Sequence, residues 1–228
     1  MLTSLVIHYE RNLSGRDFAV GDIHGSFSRL ETRMSEADFD MKRDRLFSVG
    51  DLVDRGPESD QALHWMAQPW FHAVRGNHED YAIRHASTGR VDLANYRRNG
   101  GGWFIDLPPE RQQEFAAAFV DLPFVMQVQT RRGPVGILHA DCPVDDWFDL
   151  PIALASRRRR DQILWSRARI ETGDTRRVRG VRAVIVGHTP VAEAQVLGNV
   201  VHIDTAGWSP QGHFTLLDLG HDLDTILS

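Results

Sequence analysis

The sequence predicts an α/β protein of layered sheets and helices, and three observations support this class. Short apolar runs typical of buried strands recur along the chain, and amphipathic helical patterns separate several of them. Each of these strand-like runs ends just before, or inside, a short polar segment, and most of these segments contain glycine. A length of 228 residues, with 42% hydrophobic and 25% charged content, fits one globular domain over 1–228. Strands that alternate with helices indicate sheets covered by helices.

The predicted elements follow one another in a regular order. Apolar runs predict strands at 18–20, 46–49, 71–74, 135–138 and 184–186. Apolar residues at mixed three and four spacing predict helices over 26–34, 59–66, 79–86 and 110–120. Two later runs, 200–204 and 214–217, are interpreted as strands that close a second sheet against the first.

Composition excludes several functional classes. The 26 basic and 31 acidic residues give a net charge of −5, which provides no general basic field for nucleic acid. The basic run from Arg157 to Arg160 has no interleaved aromatic residues and is interpreted as a solvated helix start. No apolar stretch approaches the roughly 20 residues that span a bilayer, so no membrane partner is expected.

A single cysteine indicates a reducing compartment. Cys142 cannot form an internal disulfide, and residues 1–7 lack the features of a signal peptide. We therefore expect a cytoplasmic protein. A nucleophilic role for Cys142 is disfavoured because no Cys-His-Asn or Cys-His-Asp grouping accompanies it.

Five short segments place metal-capable side chains beside glycine or an apolar run. They are GDIHG at 21–25, GDLVDRG at 50–56, GNHE at 76–79, LHAD at 138–141 and GHT at 187–189. Each follows a predicted strand. Because ligands in α/β folds bind at the carboxyl ends of strands, we expect the active site at that edge.

The residue types in these segments predict a pair of divalent metals. Asp22 and His24 can reach one metal if they lie on a turn, which the flanking glycines permit. Asp51 can bridge two metals through its two oxygens. A second position of nitrogen and oxygen ligands would add Asn77, His139 and His188. An isolated Asp after a strand is often a helix cap and an isolated His is often structural, so the prediction depends on their joint order.

The five segments and the NGGGWF stretch at 99–104 resemble the phosphoprotein phosphatase family, most closely its compact bacterial and bacteriophage lambda type. LHAD departs from the His-Gly-Gly form of eukaryotic relatives but keeps His139. The resemblance covers about 17–217 and implies a metallophosphoesterase sandwich, with two β-sheets flanked by helices. It implies that Asp22, His24 and Asp51 hold one metal. The other would be held by Asp51, Asn77, His139 and His188.

The resemblance also implies a catalytic shell around the metals. His78 would be the general acid, oriented by Asp54, and a carboxylate beside an imidazole favours its protonated form. Phosphoryl oxygens would be bound by Arg55, Arg75 and Arg167, because a guanidinium fork matches two such oxygens. The metals are expected to be Mn²⁺, with Fe, Zn and Co also compatible with the ligands. Trp208 is expected to approach the substrate.

Together these features predict a metal-dependent protein serine/threonine phosphatase that acts on phosphorylated proteins or peptides. A hydroxide bound by both metals would attack phosphorus. One alternative is a symmetrical diadenosine tetraphosphate hydrolase, whose second motif usually lacks an acid at the position of Asp54. The GNHE form, rather than GNHD, also favours the phosphatase. The other alternative is a non-catalytic phosphopeptide-binding pseudo-enzyme, against which the complete ligand set and His78 argue.

Overall fold

The structure is a computed structural model that describes residues 5–227, and the first four residues of the 1–7 segment lie outside it. Its strands are β1 (Val6–Tyr9), β2 (Asp17–Val20), β3 (Arg45–Ser48), β4 (Phe71–Ala73), β5 (Val125–Thr130), β6 (Gly133–Ile137), β7 (Ala183–Val186), β8 (Gln195–Leu197), β9 (Val200–His202) and β10 (Leu216–Asp218).

Helices occupy most of the connections. They are α1 (Phe27–Glu36), α2 (Ala62–Met66), α3 (Asn77–Thr88), α4 (Leu93–Tyr96), α5 (Gly102–Ile105), α6 (Pro109–Val120), α7 (Leu150–Ala153), α8 (Arg157–Trp165), α9 (Ala168–Thr172) and α10 (Asp222–Ile226). Short 3₁₀ turns cover Ser59–Gln61 and Trp147–Asp149, and a π-helical turn covers Arg97–Gly101.

The strands form two sheets. The larger has the order β1-β5-β6-β7-β9-β8, and the smaller has the order β10-β2-β3-β4. Strands β2, β3 and β4 are parallel to one another, as are β6, β7 and β9. The carboxyl ends of each parallel set therefore lie along one edge of its sheet.

Alternation along the central strands explains the layering. In β2, Ala19 packs into the cluster between the sheets, whereas Phe18 and Val20 pack under α1, α2, α3 and α6. In β7, Ile185 faces the other sheet and Val184 faces α7 and α8. Because both faces of these strands are covered, they read in the sequence as continuous apolar runs. The result is two stacked sheets with helices on both outer faces.

The predicted fold class is confirmed: the protein has two sheets flanked by helices. One detail of the prediction is wrong, since the two late strands do not close a sheet together. Instead β9 joins β7 in the larger sheet, whereas β10 pairs antiparallel with β2 at the edge of the smaller sheet. The sequence pattern does not predict β1, β5 or β8.

The basic run at 157–160 begins α8, and Arg157, Arg158 and Arg159 are exposed to solvent, as a solvated helix start requires. Across residues 5–227, no helix is long and apolar enough to cross a membrane.

Candidate active site

The five segments lie at the carboxyl ends of β2, β3, β4, β6 and β7, on a backbone held in unusual conformations. Seven non-glycine residues in the described chain have positive φ. Five of them belong to the predicted site: His24, Asp51, Asp54, Arg55 and His188. Such conformations cost energy for residues with a Cβ and persist where surrounding structure fixes them, which commonly happens at functional sites.

Gly50 makes the tight turn before Asp51 possible. Its φ is +96°, and a Cβ there would lie 2.6 Å from the backbone nitrogen of Gly76. Only glycine tolerates both the conformation and the close approach of the two chain segments. This contact brings the loop after β3 against the start of α3, and so brings Asp51 beside Asn77 and His78.

Asp51 lies at the centre of the predicted site. Its Oδ2 is 3.6 Å from Nε2 of His24, and its Oδ1 is 3.4 Å from Nε2 of His139. The backbone N–H of His78 donates to Oδ1 at 3.0 Å. Burial opposes ionisation of this carboxyl, but the imidazoles of His139, His78 and His24 lower its pKa well below the usual range. The two oxygens of Asp51 therefore face different predicted metal ligands, His24 and His139.

One group of donor atoms surrounds Asp22 and His24. Nε2 of His24 lies 3.8 Å from Oδ2 of Asp22, and Nδ1 of His24 lies 2.9 Å from the carbonyl oxygen of Val53. A ring anchored through Nδ1–H to a carbonyl presents its Nε2 lone pair, the form that binds metals. That Nε2 is buried and has no hydrogen-bond partner within residues 5–227.

A second group converges on Asn77. Its Oδ1 lies 2.8 Å from Nε2 of His139 and 2.8 Å from Nδ1 of His188. Nδ1 of His139 is anchored to the carbonyl oxygen of Val49 at 2.7 Å, which leaves its Nε2 as an electron-pair donor. Nε2 of His139 and Nδ1 of His188 thus face the Oδ1 atom of Asn77, and these three atoms could together coordinate a cation. Burial lowers the pKa of His139. Burial and the nearby His139 lower the pKa of His188 to about 3. Both rings are therefore neutral at pH 7.

These residues fit a pair of metal ions. Two sets of side chains each bring their donor atoms within 4.8 Å of one another: His24, Asp51 and His78 form one set, and Asp51, His139 and His188 form the other. The sets share Asp51, all of their members are buried, and their nitrogen and oxygen donors suit borderline divalent metals. The unpartnered Nε2 of His24 is the atom that a metal would satisfy.

His78 and Asp54 are in direct contact beside this pair of positions. Nδ1 of His78 lies 2.6 Å from Oδ2 of Asp54, and both side chains are buried. The indole of Trp103 donates to the other oxygen of Asp54 at 2.7 Å. Although burial lowers the pKa of His78, Asp51 and Asp54 outweigh it and raise that pKa above its ordinary value.

A cavity of about 150 Å³ lies over these groups. Arg55 and Arg167 line it together with His78 and His188, and Tyr81 and Trp165 form an aromatic wall. Nη2 of Arg55 lies 3.5 Å from Nε2 of His78, and Nε of Arg167 lies 3.5 Å from Nε2 of His188. The cavity thus has two guanidinium groups at its wall and the metal-capable groups at its base.

Arg75 is not among the residues that line this cavity. Its Nη2 donates to the carbonyl oxygen of Val120 at 2.6 Å, and its guanidinium carbon lies 4.7 Å from the ring centroid of Phe124. The structure therefore brings together ten of the eleven predicted site residues and separates Arg75, whose guanidinium would have to turn to reach a phosphate. These competing carbonyls, of Val120 and Leu122, lie at the end of α6 and just after it, 45 and 47 residues from Arg75.

Residues 18–192 match the calcineurin-like phosphoesterase family over most of the chain. The protein belongs to this family. It is 34% identical over 205 residues to serine/threonine-protein phosphatase 2 of Escherichia coli strain K12, and this match covers 87% of this chain and 88% of that protein. It is 37% identical over 192 residues to serine/threonine-protein phosphatase 1 of Salmonella typhimurium strain LT2, and this match covers 82% of this chain and 85% of that protein.

The architecture of this phosphoesterase is shared with solved structures. A protein serine/threonine phosphatase from Saccharomyces cerevisiae superimposes with a TM-score of 0.62 at 16% identity, covering 96% of this chain and 78% of that one. Because the identity is low, the likeness concerns the fold. The family is hydrolytic, and the donor sets around Asp51 are residues of this chain that could hold its divalent metals.

Two residues of the phosphoesterase site have contacts that the sequence did not reveal. Glu79 accepts hydrogen bonds from the backbone N–H groups of Asp51, Leu52 and Gly76 at 2.8–3.0 Å, and so ties the loop after β3 to the start of α3. Trp103 braces Asp54 from a segment 49 residues away. The GNHE and NGGGWF motifs contain both residues, but only the folded chain shows what each one contacts.

Trp208 lies at the site, on the far side of Arg55. The guanidinium carbon of Arg55 is 4.5 Å from the centroid of the indole, and the same ring packs edge-on against His24 at 5.3 Å. Trp208 therefore contacts one predicted phosphate ligand and one predicted metal ligand.

Proposed function

We propose that this protein is a metal-dependent phosphatase that hydrolyses phosphoserine and phosphothreonine monoesters in proteins. The observation that carries the proposal is the juxtaposition of the 2.6 Å His78–Asp54 pair with donor sets that share Asp51. A metal site alone would serve many phosphoester substrates. A buried imidazole supported by a carboxylate adds a proton donor, which an alkyl leaving group such as serine requires.

The arginines would bind the substrate. In the proposal, Arg55 and Arg167 hold the phosphoryl oxygens from the cavity wall, because a guanidinium stays charged and offers paired donors to phosphate. Charge on these oxygens persists through the transition state, so the same contacts orient the group and stabilise it. Arg75 would take part only if its side chain turned from the carbonyl of Val120.

His78 would act on the leaving group. Its N–H on the Nδ1 side is fixed by Asp54, so Nε2 faces the cavity and can deliver a proton to the departing oxygen. Asp54 in turn is held by Trp103, which fixes the orientation of the pair.

The metals would be held by Asp22, His24 and Asp51 on one side and by Asp51, Asn77, His139 and His188 on the other. Bound metal ions would supply Lewis acidity and acidify a water molecule, so no serine or cysteine nucleophile is required. Mn²⁺ as the metal and the cytoplasm as the location belong to the same proposal. Nitrogen and oxygen ligands and a single free, buried Cys142 support these two points.

The function is tested with one panel of substrates under one set of conditions. Metal-depleted protein should release no phosphate from phosphoserine and phosphothreonine peptides, and added Mn²⁺ should restore the activity. Elemental analysis of protein purified without chelator should find manganese. Activity that survives removal of every metal would refute the metal-dependent scheme.

The same panel separates the two alternatives. Faster Mn²⁺-dependent hydrolysis of diadenosine tetraphosphate than of phosphopeptides would identify a dinucleotide hydrolase. Phosphopeptide binding without turnover, with Mn²⁺ bound, would identify a binding module. The sequence match to two proteins named serine/threonine-protein phosphatase over more than four-fifths of the chain supports the first proposal.

A further inference from the structure

Asp204 lies beside Asp22, one of the predicted metal ligands. Asp204 follows β9, which pairs in parallel with β7, so its loop leaves the sheet beside the loop that carries His188. The N–H of His188 donates to Asp22 at 3.0 Å. A Cβ on Gly21 would lie 3.0 Å from Cα of Asp204, so the chain at Asp204 packs directly against the residue before Asp22.

The carboxylate of Asp204 is buried and only half satisfied. The side chain is 1% exposed, and its Oδ1 accepts the N–H of Ala206 at 3.0 Å. Its Oδ2 is buried and receives no hydrogen bond from an N–H or a hydroxyl group in the part of the chain that the structure describes. The side chain next to it is the carboxyl group of Asp22, which lies within hydrogen-bonding reach of Asp204.

Three buried carboxylates therefore meet at one end of the site. Asp22, Asp51 and Asp204 are each 1% exposed. Asp22 and Asp51 both approach Nε2 of His24, at 3.8 Å and 3.6 Å, and the chain at Asp204 packs against the residue before Asp22. Buried like charges at short range are unfavourable without a compensating cation. A divalent ion beside Asp22 supplies that charge.

We propose that Asp204 is an additional acidic residue of the metal position formed by Asp22 and His24, and that its Oδ2 strengthens divalent cation binding there. Asp22, His24 and Asp51 provide this position with fewer nitrogen ligands than its neighbour has. An added carboxylate beside Asp22 raises the negative charge that the ion meets, and residues that support metal ligands commonly change metal affinity by about 10- to 100-fold. The inference rests on the metal centre of the proposed function and is independent of the substrate.

The test is Asp204→Asn, which keeps an oxygen for the N–H of Ala206 and removes the charge. Chelator-treated protein is titrated with MnCl₂ by isothermal calorimetry, and its thermal midpoint is measured without metal. We expect one of two Mn²⁺ sites to weaken by about 10- to 100-fold. We also expect a metal-free midpoint no lower than that of the wild type, because a buried like charge is removed. Asp44→Asn, a buried aspartate paired with Arg16 away from the site, should leave both Mn²⁺ affinities unchanged.

The outcomes distinguish this inference from the proposed function. Mn²⁺ affinities within twofold of the wild type in Asp204→Asn, with a lowered metal-free midpoint, would assign Asp204 a purely structural role at the turn to Ala206. If Asp204→Asn does not fold by circular dichroism, Asp204→Ser is titrated instead and judged by the same affinities. A wild-type protein that binds no Mn²⁺ would overturn the metal centre itself, and with it the proposed function.

Discussion

His78 and Asp54 are joined by a 2.6 Å contact between Nδ1 and Oδ2, and Trp103 holds the second oxygen of the same carboxylate at 2.7 Å. The carboxylate of Asp54 is thus held between the indole and the imidazole, where it fixes the orientation of His78 and favours its protonated form. Asp54 belongs to neither donor set around Asp51, so a change at Asp54 tests the leaving-group step without removing a metal-capable side chain.

Asp54→Asn should impair proton donation. We expect kcat on a phosphoserine peptide to fall by about 10²- to 10⁴-fold, the usual contribution of a general acid. The loss on p-nitrophenyl phosphate should be much smaller, because nitrophenolate departs without a proton. Steady-state kinetics on both substrates provides the measurement. Trp103→Phe, which removes only the indole hydrogen bond to Asp54, is the matched control and should lose less activity. Equal losses on the two substrates would exclude the acid role for this pair.

Trp208→Ala should weaken phosphate binding through Arg55. A guanidinium over an indole gains about 0.5–2 kcal/mol, so its loss corresponds to about a 2- to 30-fold rise in the inhibition constant of inorganic phosphate. Turnover should change less than this constant, since Trp208 holds the guanidinium rather than the proton donor. Trp208→Phe keeps an aromatic face and should recover most of the binding. An unchanged phosphate constant in Trp208→Ala would show that Arg55 needs no support from the ring.

Arg75→Ala should act chiefly on stability. Its guanidinium donates to the carbonyls of Val120 and Leu122 and covers Phe124, so removal leaves carbonyls without a donor. We expect the free energy of unfolding to fall by about 1–3 kcal/mol, measured by urea denaturation. Phosphate inhibition should change far less than in Arg55→Ala. Weaker phosphate binding with wild-type stability would instead indicate that Arg75 turns into the cavity during catalysis.

The central strands and most of the candidate site could be predicted because the information is local. A run such as 183–186 is apolar throughout since both faces are buried, and His188 follows it directly. The three ligand loops of the smaller sheet follow parallel neighbours, so prediction of the strands also predicted that their ends would meet.

The remaining features depend on contacts between distant parts of the chain. Nothing within β10 distinguishes pairing with β2 from pairing with β9, and the choice depends on which sheet edge is free. The direction of the Arg75 side chain depends on carbonyls 45 residues away. The sequence places Asp204 only at the end of a predicted strand, because its proximity to Asp22 depends on the pairing of β7 with β9 and the packing of Gly21.

Asp44 should contribute stability that disappears in acid. This buried carboxylate accepts hydrogen bonds from the backbone N–H of Arg16 at 2.7 Å, from Nη2 of Arg16 at 2.7 Å and from the N–H of Asp40 at 3.0 Å. Burial opposes its ionisation, but these donors outweigh burial and lower the pKa of Asp44 below its ordinary value. The folded state therefore holds a proton less readily than the unfolded state does.

The sign of the pH dependence follows from that direction. Because the folded pKa lies below the unfolded one, the contribution is complete above about pH 4–5 and is lost as the pH falls through the folded pKa. At pH 7, Asp44→Asn should cost about 1–2 kcal/mol, discounted because Arg16 is partly exposed. Urea unfolding of both proteins between pH 7 and pH 3 should show this difference shrinking as acid is added.

Asp145→Asn, an exposed aspartate, should cost less than about 0.5 kcal/mol throughout. A difference for Asp44→Asn that stays constant down to pH 3 would mean that the side chain stabilises the fold through its shape and hydrogen bonds rather than its charge.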